Sequence, residues 1–178
     1  MTLAHGNSFE PAQFLVENTG LLPKGRVLDV AMGVGRNAVY LAKIGFNVEG
    51  IDRSPEAVAS AREVAQNAGV SIKAQLADLE DDYSTEKSVY DVVICFNYLQ
   101  RSLIPQIKSG LRKGGMVVYE TFIIDQVQWG KPKNPDYLLK HNELVDMFGS
   151  FRCLRYREGI IGVGGNRRAV ASIVAEKV

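Results

Sequence analysis

The sequence predicts an α/β protein: one mostly parallel sheet of seven strands with an antiparallel last strand, and helices on both faces in an α/β/α sandwich. Three observations carry that prediction. Short runs of valine, isoleucine and leucine alternate with stretches whose apolar residues recur at helical spacing, the pattern of parallel strands joined by right-handed crossovers. Tyr90 to Phe96 (YDVVICF) has a nearly unbroken apolar centre, as a strand covered on both faces requires. The last two strand-like runs are separated only by a glycine-rich turn, Gly159 to Gly165, and so short a connection permits only an antiparallel hairpin.

The elements follow in order. Phe9 to Asn18 reads as a helix with Phe9, Phe14 and Leu15 apolar. Arg26 to Ala31 is a buried strand that runs into a small-residue loop, Met32 to Gly35. Asn37 to Ile44 is helical and stops at Gly45, the residue suited to the left-handed position after a helix. Asn47 to Asp52 is the second strand. Ser54 then offers a helix cap and Pro55 a favoured first position. The helix they open sets Ala57, Val58, Ala61, Val64, Ala65 and Ala68 on one stripe and ends at Gly69. Ser71 to Ala77 is the third strand, Tyr90 to Phe96 the fourth, and a helix around Arg101 to Leu111 leads through the Gly114-Gly115 turn to a fifth, Met116 to Phe122. Ile123 to Lys140 lacks a clear period and holds the single tryptophan, Trp129; long loops in compact domains are usually functional or disordered. Asn142 to Phe148 is a short helix, and Phe151 to Glu158 with Arg168 to Ala175 make the hairpin.

Composition narrows the classes. Lys plus Arg is 21 against 20 for Asp plus Glu, a net charge of +1, which supplies no global pull toward nucleic acid or anionic membrane. No apolar run reaches the length that spans a bilayer, and the first residues are too polar for a signal peptide. Cys95 and Cys153 each stand alone among apolar residues and read as buried packing thiols of a reduced, cytoplasmic protein. With two histidines, His5 and His141, no protein-built metal site is expected.

The informative stretch is Asp29 to Asn37 (DVAMGVGRN), where a strand passes through small residues into a helix. Small residues allow a tight turn and close approach of a ligand to the backbone, and the helix start supplies free N–H groups. Gly33 to Ala38 also fits the dinucleotide fingerprint G-x-G-x-x-G/A, so a nicotinamide-dependent oxidoreductase is one reading. Three carboxylates argue for another. Asp29 lies in the strand below the loop, where it would repel a diphosphate and suit a cation. Asp52 ends the second strand, where an acid accepts from ribose hydroxyls. Asp78 ends the third, where it can accept from an adenine amino group. The ligand described is an adenosine with a cationic, unphosphorylated tail, namely S-adenosyl-L-methionine, whose demethylated product is S-adenosyl-L-homocysteine. A non-catalytic nucleoside-binding module of the same fold is the third reading.

These residues resemble the class I S-adenosylmethionine-dependent methyltransferases. Asp29 to Gly35 resembles the family's acid-x-Gly-x-Gly-x-Gly motif with Ala31 at the first glycine, and Leu111 to Gly115 resembles its turn before strand five, without the common proline. Arg36 to Ala42 (RNAVYLA) and Cys95 to Arg101 (CFNYLQR) are most similar to the tellurite-resistance (TehB-like) methyltransferases. The resemblance implies a Rossmann-like sheet and a single domain, 1–178, with residues 1–22 an N-terminal helical lid and 123–141 an acceptor-side loop. It implies that Asp29, Ala31, Met32, Gly33, Gly35, Arg36, Asn37, Asp52, Arg53, Ala77, Asp78, Leu79, Phe96 and Asn97 hold the cofactor. On the acceptor side it implies Asn97, Tyr98 and Arg101 as catalytic residues, with no metal. The acceptor is then a small molecule, with a chalcogen oxyanion drawn by Arg101 as the TehB-like case; nucleic acid and membrane are not expected partners, and the chain is a monomer or homodimer. Glu120, in an apolar strand, needs a buried partner or solvent. Arg152, Arg155 and Arg157 read as the wet face of an edge strand, and Arg167 and Arg168 likewise.

Overall fold

A computed structural model describes residues 9–81 and 83–178. The first eight residues of the 1–22 segment, His5 among them, lie outside the described residues, as does Asp82. The strands are β1 (Arg26–Val30), β2 (Asn47–Asp52), β3 (Lys73–Leu76), β4 (Tyr90–Phe96), β5 (Leu111–Phe122), β6 (Arg152–Ile161) and β7 (Arg168–Glu176). They form one seven-stranded sheet in the order β3-β2-β1-β4-β5-β7-β6. β1 to β5 pair in parallel, and β7 enters antiparallel between β5 and β6. The strand order reverses between β1 and β4, which opens a crevice at the carboxyl ends of the central strands.

Both faces of the sheet are covered. α1 (Gln13–Asn18), α2 (Arg36–Lys43) and α3 (Pro55–Asn67) pack on one side; α4 (Ile104–Gly110), α5 (Glu143–Met147) and the segment after β5 pack on the other. β4 is buried at every position: Val92, Ile94 and Phe96 face the α2 side, while Val93 and Cys95 face the α4 side. α3 begins as its sequence dictates, with the Ser54 hydroxyl accepting from the Ala57 N–H at 3.1 Å and Pro55 in the first turn. Its stripe of small residues lets it lie close: a methyl on Gly35 would stand 2.8 Å from the Ala61 Cβ.

Several boundaries differ from expectation. β3 is confined to Lys73–Leu76 rather than 71–77, and the Ala77 N–H closes its ladder by donating to the Asp52 carbonyl at 3.0 Å. β5 starts at Leu111 and absorbs the Gly114-Gly115 turn as an irregularity, since Tyr90 pairs with Leu111 and Val92 with Met116. The helix expected over 101–111 is a 3₁₀ turn, Arg101–Leu103, followed by α4. β6 runs on to Ile161, and an extra residue between Cys153 and Arg155 shifts its register against β7. Cys153, expected to be buried, is exposed on that edge strand, whereas Cys95 is fully buried.

The segment 123–141 is a compact flap and not a slack loop. Two 3₁₀ turns, Ile124–Gln128 and Pro135–Tyr137, lie within it. Its ends are tied by Ile124 N–H to the Leu139 carbonyl and Leu139 N–H to the Phe122 carbonyl, both at 2.9 Å. Buried Gln126 accepts from the Ala169 N–H at 2.8 Å and donates to the Lys131 carbonyl at 3.1 Å. Among the described residues no helix is long and apolar enough to cross a membrane.

Candidate functional site

The glycine loop leaves β1 through three left-handed residues: Ala31 at φ 55°, Gly33 at 57° and Gly35 at 78°. For Ala31 that conformation costs roughly 1–2 kcal/mol that glycine would not incur. Each residue between β1 and α2 has a distinct task. The Met32 N–H donates to the Ile51 carbonyl at 2.9 Å. The Met32 side chain fills the space above Gly50, where any Cβ would meet the Met32 sulfur. Met32 is therefore core, and only its backbone can face a ligand. A Cβ on Gly33 would meet nothing within 4 Å, so this position opens onto the crevice.

Two of the three predicted carboxylates, Asp29 and Asp52, stand close enough for the Asp52 charge to act on Asp29. Asp29 is 2% exposed, and its Oδ2 has no hydrogen-bond partner among the described residues. Burial pushes its carboxyl up to about 8; Arg36 opposes this and Asp52 adds to it. A cation against Oδ2 would favour the ionised form. Asp52 braces the loop: Oδ2 accepts from the Gly33 N–H at 2.8 Å and Oδ1 from the Ser54 N–H at 3.0 Å. Each carboxylate oxygen keeps a further acceptor site. Asp78 is exposed, and its Oδ1 accepts from the Glu80 N–H at 2.9 Å. It borders a cavity of about 570 Å³ with Leu76, Ala77, Tyr83 and Ser84.

A second cavity, about 350 Å³, is lined by Arg53, Glu80, Asn97, Tyr98, Leu99, Phe122, Pro132 and Tyr137. It joins the ends of β2, β4 and β5 to the flap. Arg53 and Glu80 pair across it at 3.6 Å. Asn97 turns the chain after β4 with a left-handed φ of 58°, its N–H held by the Glu120 carbonyl at 2.9 Å. Burial and the Glu80 charge push the Tyr98 phenol up to about 12, so it enters the cleft as a neutral donor. Of the lining residues, Arg53, Asn97 and Tyr98 were singled out in the sequence. Glu80, Phe122, Pro132 and Tyr137 were not, since only the fold of the flap brings Pro132 and Tyr137 there.

Other predicted residues are committed elsewhere. Arg101 makes a two-pronged pair with Glu143, at 2.6 and 3.0 Å, and donates to the Asp136 and Leu138 carbonyls. It staples the flap to α5, with four of its five N–H groups engaged in these contacts. The Asn37 side chain accepts from the Ala12 N–H at 2.8 Å, and Arg36 donates to the Glu10 carbonyl at 3.1 Å. Both hold the N-terminal segment against the loop. Leu79 and Phe96 have core side chains. Trp129 packs against the core beneath Arg167, 5.2 Å from its ring. His141 pairs with Asp125 at 2.6 Å on the surface of the flap.

Arg157 departs from the expected wet face. The register shift in β6 sets it opposite Ser172, where it donates to the Glu120 carboxylate at 3.1 Å and the Ser172 hydroxyl at 3.2 Å. It also lies over the Phe14 ring at 4.7 Å and reaches Glu17 at 3.6 Å. Buried Glu120 thus finds its partners in Arg157, Ser172 and, at 3.7 Å, Arg168. Arg36 is close enough to feel both Arg168 and Glu120. Arg157 and Arg168 therefore gather about Glu120 between β5 and β7, with Arg36 within electrostatic range of it and of Asp29.

A Rossmann-like sheet with an antiparallel β7, a glycine loop and acids at the ends of successive strands defines a class of group-transfer domain. The family model described as "Methyltransferase domain" matches residues 27–115, and the chain belongs to that family. It is 24% identical over 168 residues to a probable S-adenosyl-L-methionine-dependent methyltransferase TehB of Haemophilus influenzae, covering 90% of this chain and 55% of that protein. It is 30% identical over 121 residues to a ubiquinone biosynthesis O-methyltransferase of Cronobacter sakazakii, covering 65% and 50%. The crystal structure of TehB from Haemophilus influenzae superimposes with a TM-score of 0.77 at 21% identity, over 92% of this chain and 61% of that one. The chain spans about half the length of these curated relatives.

Proposed function

We propose that this domain transfers a methyl group from S-adenosyl-L-methionine to a small anionic acceptor. The observation that carries the reading is the buried, partnerless Oδ2 of Asp29 at the floor of an open glycine loop. The donor set fits that cofactor: Asp29 would take its ammonium end, the loop backbone at Gly33 its approach, and Asp52 its ribose hydroxyls. Asn97, Tyr98 and Asp78 would border its nucleoside. When bound, the cofactor supplies a methyl activated by a sulfonium, so the protein needs no nucleophile of its own. Its residues align the partners and exclude water, and α1 and the flap serve as walls. Family membership gives no support to the dinucleotide-dependent oxidoreductase reading. A fold that only binds nucleoside would show cofactor affinity without turnover on any acceptor.

The acceptor end is cationic, although not through Arg101. Arg157 divides itself between Glu120 and Glu17, Arg168 reaches Glu120 at 3.7 Å, and Arg36 lies within electrostatic range of Asp29 and Glu120; guanidinium groups so placed suit an oxyanion of the chalcogen kind implied by the TehB-like resemblance. Two measurements test the reading. Asp52→Ala should weaken S-adenosylhomocysteine binding, measured by calorimetry, by about 1–3 kcal/mol; unchanged affinity would place the ribose elsewhere. On a panel of tellurite, selenite and neutral phenols, wild type should release S-adenosylhomocysteine with the oxyanions. Arg168→Ala should raise KM for them about tenfold. Turnover on phenols alone would sink the anionic acceptor.

A further inference from the structure

Beneath the cleft lies a pair of buried side chains that the glycine loop and acids leave unexplained. Tyr119 on β5 is 1% exposed and Cys95 on β4 is fully buried, and both are aimed at one backbone atom. The Tyr119 hydroxyl donates to the Tyr98 carbonyl at 2.8 Å, and the Cys95 thiol donates to the same oxygen at 3.7 Å. One residue earlier, Asn97 is held in the left-handed region, with its N–H donating to the Glu120 carbonyl. Asparagine tolerates that region better than other side-chain-bearing residues, so neighbouring contacts suffice to fix the turn there. Here the fixing contacts come from the two strands below, and the side chains so presented line the cavity between the nucleoside end and the flap. The thiol itself is chemically quiet, since burial pushes it up to about 12.

We infer that Tyr119, assisted by Cys95, is a positioning residue for methyl transfer. Its buried hydroxyl locks the Asn97-Tyr98 turn in the orientation that lines the cofactor cleft. The inference rests on the proposed cofactor site. Tyr119 itself touches no part of that cleft and acts through the Tyr98 carbonyl. Removing the hydroxyl leaves that carbonyl with only a weak thiol donor, and the turn can then relax toward a right-handed conformation.

The test compares four proteins by calorimetry with S-adenosylhomocysteine and by thermal unfolding: wild type, Tyr119→Phe, Tyr90→Phe and Asp52→Ala. Tyr90 is a matched control, because its buried hydroxyl donates to Glu49 at 3.0 Å, away from the cleft. Tyr119→Phe should weaken binding about tenfold, while Tyr90→Phe binds within a factor of about two of wild type even if it melts earlier. The inference is overturned if Tyr119→Phe binds as wild type, or if both tyrosine variants lose affinity only in proportion to lost stability. In the first case the Asp52→Ala arm separates the two failures: weakened binding there leaves the cofactor site standing and removes Tyr119 alone, whereas unchanged binding removes the site as well.

Discussion

Asp29 shows how one buried atom can govern a binding equilibrium. Its carboxyl is pushed up to about 8, from an ordinary value of 3.8, chiefly by burial. The folded state therefore holds the proton more tightly than the unfolded chain does. That contribution to stability is complete below the ordinary value and is lost as pH rises toward 8. A cationic ligand requires the ionised form, so binding must expel the proton at neutral pH. Affinity for S-adenosylhomocysteine should accordingly rise between about pH 6 and pH 8 in wild type. In Asp29→Asn it should be weak and flat, and the variant's melting temperature should exceed that of wild type near the upper limit. A wild-type affinity constant across this range, measured by calorimetry, would show that the carboxylate is already ionised in the free protein. The sequence revealed this residue because an acid inside an apolar strand is conspicuous. It could not reveal Tyr119, since a tyrosine in a strand reads as ordinary core, and only the placement of Tyr98 gives its hydroxyl a purpose.

Whole elements were legible where local chemistry and burial agreed. The Ser54-Pro55 start of α3, the two-sided burial of β4 and the antiparallel β6–β7 pair follow directly from cap, period and connection length. Misreadings arose where a neighbouring element covers only part of a strand face. Arg155 and Arg157 lie on one face of β6, opposite Val174 and Ser172, yet Arg155 stays exposed while Arg157 meets Glu120 and α1. It then clasps α1 through Phe14 and Glu17 while neutralising Glu120. Arg157→Ala should therefore cost about 2–3 kcal/mol, because it strips a buried carboxylate of its main cationic partner and the loss is moderated by partial exposure. Hydrogen exchange should quicken across Gln13–Asn18, the extent of α1. Arg155→Ala, on the exposed part of the same strand, should change stability by less than about 0.5 kcal/mol. Equal effects from the two substitutions would remove the clasp.

Across the molecule, an almost neutral chain conceals a divided cleft. Asp29, Asp52, Asp78 and Glu80 outnumber Arg53 toward the β3 side, and Arg157 and Arg168 stand about Glu120 toward β7. Overall composition averages this division away, which is why net charge spoke only to a global pull toward polyanions and said nothing of a small anion. The flap was equally hidden, because its order depends on Gln126 bridging to β7 and on Arg101 gripping α5, contacts between segments far apart in sequence.

The place of β7 also sets an order of events during synthesis. β6 leaves the ribosome first but has no neighbour of its own in the sheet, because the strand made after it must slip between it and β5. Until then Glu120 lacks Ser172, Arg157 has no fixed perch and α1 nothing to grip. The nascent chain can thus assemble the glycine-loop end of the crevice early, but the cluster about Glu120 is finished only when β7 is threaded home.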